Sequence, residues 1–304
     1  MAVLILHHYP MSPFSEKIRV MLGYAGLDWQ SCRTREMPPR PLLERLAGGY
    51  RKIPVAQIGA DIFCDSHLIA AEIARLSGKP DLAPENLDAG QQAFISRADN
   101  DLFFPCLFAA GTLKLNLKVL KAMSLPDIGR FLIDRVNMGR TARVKAPSPL
   151  KAKGIVMAHL ADLEQQLTAD FLFGDAPTHA DFSAYHSLWF IHDLAESPLL
   201  QGHTRLLDWM ARMKAFGHGR FTEIREADAL AAAGAEPLAI TPEHRQDPLI
   251  GQSVRIAPAD YGCTPTTGIL AGATDSRWIL ARRDPEAGLL HVHFPKAGYT
   301  LDAL

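Results

Sequence analysis

Three short stretches of this chain carry side chains that could hold a small ligand. In the first, Tyr9-Pro10-Met11-Ser12-Pro13-Phe14, a serine and a proline precede a periodic apolar run of Phe14, Ile18, Met21 and Leu22. Proline suits the first helical position because its missing N–H is unpaired there anyway, and serine is a favoured N-cap. The Ser12 hydroxyl therefore stands at the positive end of a helix that follows a strand, where α/β proteins commonly hold ligands. The second stretch is Ile53-Pro54, a proline opening an edge strand. The third is Asp65-Ser66, an acid and a hydroxyl starting a helical pattern through Ile69, Ile73 and Leu76 to Gly78. Locally, Ser12 and the Asp65-Ser66 pair read as helix caps as readily as ligand contacts, and such a cap contributes about 1 kcal/mol. For Ser12, the occurrence of the three segments in one small unit, where they can converge on one cleft, raises the ligand reading.

The elements that must position them follow from apolar periodicity and breakers. Residues 3–6 and 29–35 read as strands, 37–41 (MPPRP) as a break, and 42–46 as a short helical patch. A hairpin over 53–64 turns at Gly59-Ala60-Asp61, so the order β-α-β-α-β-β-α over residues 1–80 implies a mixed sheet. A linker at 79–87 leads to an all-helical region over 88–234, with segments near 89–123, 126–143, 153–170, 179–195, 203–215 and 220–233. Lys145-Ala146-Pro147-Ser148-Pro149 separates the second and third, and Thr178-His179-Ala180-Asp181 resembles a capping box with a structural role. Beyond a tether at 235–248, short β-branched pieces between turn signals predict a small all-β, barrel-like domain of about five strands over 240–304.

A chain of 304 residues with net charge −1 offers no basic surface for nucleic acid or an anionic membrane, so neither is expected as a partner. Its apolar runs are far shorter than a membrane span, and the chain reads as cytoplasmic. Cys32, Cys64, Cys106 and Cys263 are widely spaced without a CxxC pair, which suggests neither a disulfide framework nor a zinc site. Adjacent His7 and His8 point to opposite faces of a strand, so they read as structural or solvent-facing and no metal site is expected.

The segment YPMSPFSEKIRVML resembles the first strand-helix turn of glutathione transferases, especially the serine-type and plant-type classes with their SPF motif. RKIPVAQIGADIFCDSHLIAAEIARL and FLFGDAPTHADFSAY are similar to two further segments of that family, and the resemblance covers residues 1 to about 230. It implies a thioredoxin-like domain at 1–80, an all-helical domain at 88–234, and usually a homodimer. The all-β unit at 240–304 lies outside the usual layout and could stabilise a dimer, cover the cleft or recruit a partner.

By the same resemblance, glutathione is the co-substrate and Ser12 the hydroxyl that meets its sulfur, with Tyr9 and Ser15 as alternative activators. A free thiol has a pKa near ~8.5, and each unit of depression requires about 1.4 kcal/mol of preferential thiolate stabilisation. Pro54 matches the cis-proline that turns the Ile53 backbone toward the peptide. Asp65 and Ser66 match the pair at the γ-glutamyl end, and Lys52, with Arg40 or Arg35, could reach the glycyl carboxylate. Phe103, Phe104, Phe108 and Leu115 would face a small electrophile. A serine at position 12 in place of cysteine argues against exchange through a mixed disulfide. The implied function is a detoxifying transferase acting on a small electrophile. The alternative is a non-catalytic binding or scaffold protein that recruits a partner through its C-terminal β unit.

Overall fold

Local signals set the first domain of this computed structural model, which describes residues 3–122, 128–130, 134 and 148–304. Strand β1 (Leu4–His8) is buried throughout and runs into helix α1 (Pro13–Ala25), which Ser12 caps and which ends on Gly26 at φ 69°. Only glycine adopts that left-handed geometry without a Cβ penalty. Strand β2 (Trp29–Arg33) returns parallel to β1, and α2 (Pro41–Ala47) follows. Strand β3 (Val55–Ile58) pairs antiparallel with β1 and, through a hairpin, antiparallel with β4 (Asp61–Cys64), and α3 (Ser66–Ser77) closes the unit. The mixed sheet expected for residues 1–80 is therefore present.

Helix α1 packs closely enough on the turn at Phe216-Gly217 that a Cβ on Gly23 would lie 2.3 Å from the Gly217 carbonyl oxygen. Backbone cannot yield as a flexible side chain can. Gly23→Ala is expected to lower stability by about 1–3 kcal/mol, read as a fall in thermal midpoint.

The helical region departs from the expected single segment at 89–123. It consists of α4 (Ala89–Ser96), a π turn (Arg97–Asp101), α5 (Phe103–Ala109) and α6 (Leu113–Ala122). Pro105 has no N–H to give the preceding turn, and the ladder there widens to a bond from Leu102 N to the Arg97 carbonyl. The helix expected at 126–143 and the loop at 145–149 fall largely outside the described residues. Helices α7 (Pro149–Gln166), α8 (His179–Trp189) and α9 (Thr204–Ala215) follow. Asp181 is fully buried and accepts from the N–H groups of Thr178 and Leu172 and from Trp209 Nε1, the structural role assigned to it. Among the described residues no single helix is long and apolar enough to cross a membrane.

The helix expected at 220–233 is instead a strand, β5 (Phe221–Ile224), followed by a short helix α10 (Glu226–Ala232). The free edge of β2 decides this: β5 pairs parallel to it, and the Phe221 ring lies 4.8 Å from that of Trp29.

The strand-rich region is β6 (Ser253–Pro258), β7 (Thr266–Ala273), β8 (Arg277–Asp284), β9 (Gly288–Pro295) and β10 (Tyr299–Ala303). Its antiparallel order is β10-β6-β7-β8-β9, with a short link from β9 to β10, so the five strands must curl toward a barrel. It does not stand apart on a tether. Strand β9 pairs parallel with β4, making one ten-stranded sheet, and Val292 and Phe294 share a core with Ile62 and Cys64. At this seam the buried Asp61 accepts from His293 Nε2 at 2.9 Å and from Leu238 N at 2.8 Å, so part of the expected tether is fixed to the sheet.

Candidate functional site

A cavity of about 650 Å³ opens where the α/β domain, the helical domain and the strand-rich unit meet. The segment leading into β3 contributes Lys52, Ile53 and Pro54, and the Ile53-Pro54 peptide bond is cis. Helix α3 contributes Ser66, His67 and Leu68, preceded by Asp65. Asp65 sits at φ 87°, a conformation that costs a non-glycine residue on the order of 1–3 kcal/mol and that is retained where its surroundings enforce it. Its Oδ1 accepts from His67 N at 2.9 Å and its Oδ2 from the Tyr299 hydroxyl at 3.0 Å. Burial pushes the Tyr299 phenol well above its ordinary range, so it remains a donor. The hydroxyl of Tyr50 lies 3.3 Å from it.

Lys52 is also held from the strand-rich unit. Its Nζ donates to both carboxylate oxygens of Asp260, at 2.7 and 2.8 Å, and lies 4.2 Å from the centre of the Tyr261 ring. Arg40 is committed elsewhere: it donates to the carbonyls of Arg35, Glu36 and Arg51, fixing the loop before α2. Neither Arg35 nor Arg40 lines the cavity.

Asp99 forms the floor between the domains. Its Oδ2 receives Lys17 Nζ at 2.7 Å, His67 Nε2 at 2.8 Å and Ser183 Oγ at 3.2 Å, while Oδ1 meets His186 Nε2 at 3.0 Å. Lys17 is completely buried. Burial alone would raise the Asp99 pKa, but the Lys17 charge and the histidine hydrogen bonds outweigh it and hold the carboxyl well below its usual range. Ligand atoms of His67, Asp99 and His179 lie within 4.8 Å of one another. A cation there would have to displace the lysine ammonium from Asp99.

The structure thus gathers Lys52, Ile53, Pro54, Asp65 and Ser66 around one cavity. Ser12 is not among the lining residues, nor are Tyr9 and Ser15; Phe14, two residues beyond Ser12, is. The Ser12 side chain is buried and its Oγ accepts from Ser15 N at 3.2 Å, as a cap should. That bond uses a lone pair and leaves the hydroxyl proton for another acceptor. Of the expected electrophile face, Phe104 lines the cavity, whereas Phe108 is exposed. Leu115 lies on α6, past the 97° bend that follows α5, so the four do not share one stripe. His7 and His8 are structural: His7 Nε2 meets Gln57 Oε1 and His8 Nε2 meets Ser31 Oγ, each at 2.9 Å. Burial pushes His7 down to about 4 and, with Arg19 nearby, His8 down to about 3.

Residues 6–81 match the family description "Glutathione S-transferase, N-terminal domain", and residues 130–212 match "Glutathione S-transferase, C-terminal domain". A GST-like protein from Pseudomonas syringae is similar over 100% of both chains, with 33% identity and a TM-score of 0.80. The chain belongs to the glutathione S-transferase family. A glutathione S-transferase from Rhodospirillum rubrum F11 shares the fold at 18% identity and a TM-score of 0.51, over 70% of this chain and 88% of that one. A search of curated proteins gave no match.

Within the glutathione S-transferase framework, the strand-rich unit past residue 240 is the added part, and the Pseudomonas syringae likeness extends across it. Local sequence did not single out Tyr50, His67, Asp99, Asp260, Tyr261 or Tyr299. Asp260-Tyr261-Gly262 carries an ordinary turn signal, and an acid at position 99 looks like one more solvated helical charge.

Proposed function

We propose that this chain is a glutathione-dependent transferase that activates the thiol with Ser12. The observation that carries this reading is the convergence of Ile53-Pro54 and Asp65-Ser66 on one cavity in the thioredoxin-like domain of a family member. Asp65 would meet the γ-glutamyl ammonium. Ser66 and the free N–H groups at the start of α3 would meet the neighbouring carboxylate, and the Ile53 backbone the peptide. The thiol would lie toward the start of α1, where the spare proton of Ser12 and the helix dipole both favour the anion. The thiolate would then attack a small electrophile held against Phe14 and Phe104. Cytoplasmic placement and a homodimer accompany this reading.

Ser12→Ala tests it. Loss of one preorganised donor to a developing anion costs on the order of 10²–10³ in rate, whereas loss of the cap costs about 1 kcal/mol of stability. The expected result is a fall in kcat/KM for conjugation of 1-chloro-2,4-dinitrobenzene far beyond the loss of stability, with the thiol ionisation moved to higher pH. Unchanged turnover with lowered stability restricts Ser12 to capping.

The second reading, a non-catalytic binding protein, draws support from Lys52 and Asp65 already having partners within the chain. Calorimetry separates the two: no saturable heat with millimolar glutathione would favour it.

A further inference from the structure

The strand-rich unit alters the charge of the cleft, and this bears on which thiol peptide fits. Among the described lining residues, Lys52 is the only lysine or arginine, against the carboxylates of Asp65, Glu85, Asp99 and Asp260. Asp99 is balanced by the buried Lys17, but Lys52 is not available to balance a ligand. Its ammonium is bound by both oxygens of Asp260 and covered by the Tyr261 ring. Asp260 is placed by the fold: Pro258 pairs with Tyr299 in the β6–β10 ladder, and Ala259 N donates to the Gly298 carbonyl at 2.9 Å.

Free glutathione has two carboxylates and one ammonium at neutral pH. Its glycyl carboxylate, brought to Lys52, would meet the Asp260 carboxylate already there. Resting on the glutathione reading above, we infer that this cleft selects a γ-glutamyl thiol peptide whose C-terminal carboxylate is capped, as an amide or ester, neutral or cationic, over the free acid. A capped end needs no cation and leaves the Lys52–Asp260 pair intact. A cationic cap would gain from Glu85 and Asp260.

Calorimetry at pH 7 with glutathione and with its glycyl monoethyl ester tests this on the full chain. The wild-type protein is expected to bind the ester at least tenfold more tightly. Asp260→Asn, which keeps the shape of the loop and frees the Lys52 charge, is expected to bring the ratio close to one. Equal or tighter binding of the free acid by the wild type overturns the inference alone, and shows Asp260 to be a displaceable occupant of Lys52. A folded Asp260→Asn variant with an unchanged ratio also overturns it. Binding of neither thiol overturns the glutathione reading, and this inference with it.

Discussion

Asp99→Ala is expected to lower the stability of the fold by about 3–5 kcal/mol, the cost typical of removing one partner from a buried ion pair. Lys17 is fully buried and would be left without the carboxylate 2.7 Å away, while His67, His186 and Ser183 would each lose a partner. These residues come from α1, α3 and α8, so the loss falls on the contact between the two domains rather than on one helix. Asp99→Asn keeps the shape but not the charge and should recover only part of the loss. The pH dependence has a definite sign. The depressed carboxyl contributes its stability fully above the unfolded value of about 3.9 and loses it as pH falls toward the folded value. The gap in denaturation midpoint between wild type and Asp99→Asn should therefore narrow on acidification through that range. A gap that widens there would refute the assignment.

The second large effect is expected at the seam between β4 and β9. Asp61→Ala leaves His293 Nε2 and the Leu238 N–H without their acceptor, in a site where Asp61 is 1% exposed. At ~1–3 kcal/mol for each buried donor left unpaired, the expected cost is about 2–6 kcal/mol. Its distribution is the sharper readout. Amide exchange should accelerate in 61–63 and 291–293, which form the parallel ladder, and much less in β1 and β2. Uniform acceleration across the sheet would mean that the seam does not open on its own.

The parts legible in the sequence were those whose determinants lie within a few residues. Ser12-Pro13 and Gly26 bound α1, Asp65 and Gly78 bound α3, and Asp181 closes a local box. Pro54, Asp65 and Ser66 were found through their resemblance to the glutathione transferase pattern, since locally they read as a strand opening and a helix cap. What escaped depends on distant partners. The segment 221–224 becomes a strand because β2 offers a free edge, and alanine-rich residues after it gave a helical signal that α10 fulfils only in part. Asp99 and Lys17 are 82 positions apart, and nothing near either one tells a buried ion from a solvated one. Tyr299 reaches Asp65 only because β9 has joined β4. Pro105 was visible, but its effect was a widened turn rather than an end to the helical run.

The pairing of β4 with β9 also orders events in time. Asp61 and His293 are 232 positions apart, a distance that takes roughly 12–46 s to synthesise at ~5–20 residues per second. Until then β4 presents an unpaired edge to the crowded cell, open to mispairing. Loop closure over such a span is slow compared with the hairpin and helices of the first domain. On refolding, far-ultraviolet circular dichroism should therefore recover before the capacity to bind a thiol. Nascent chains arrested before β9 would be those most in need of a chaperone.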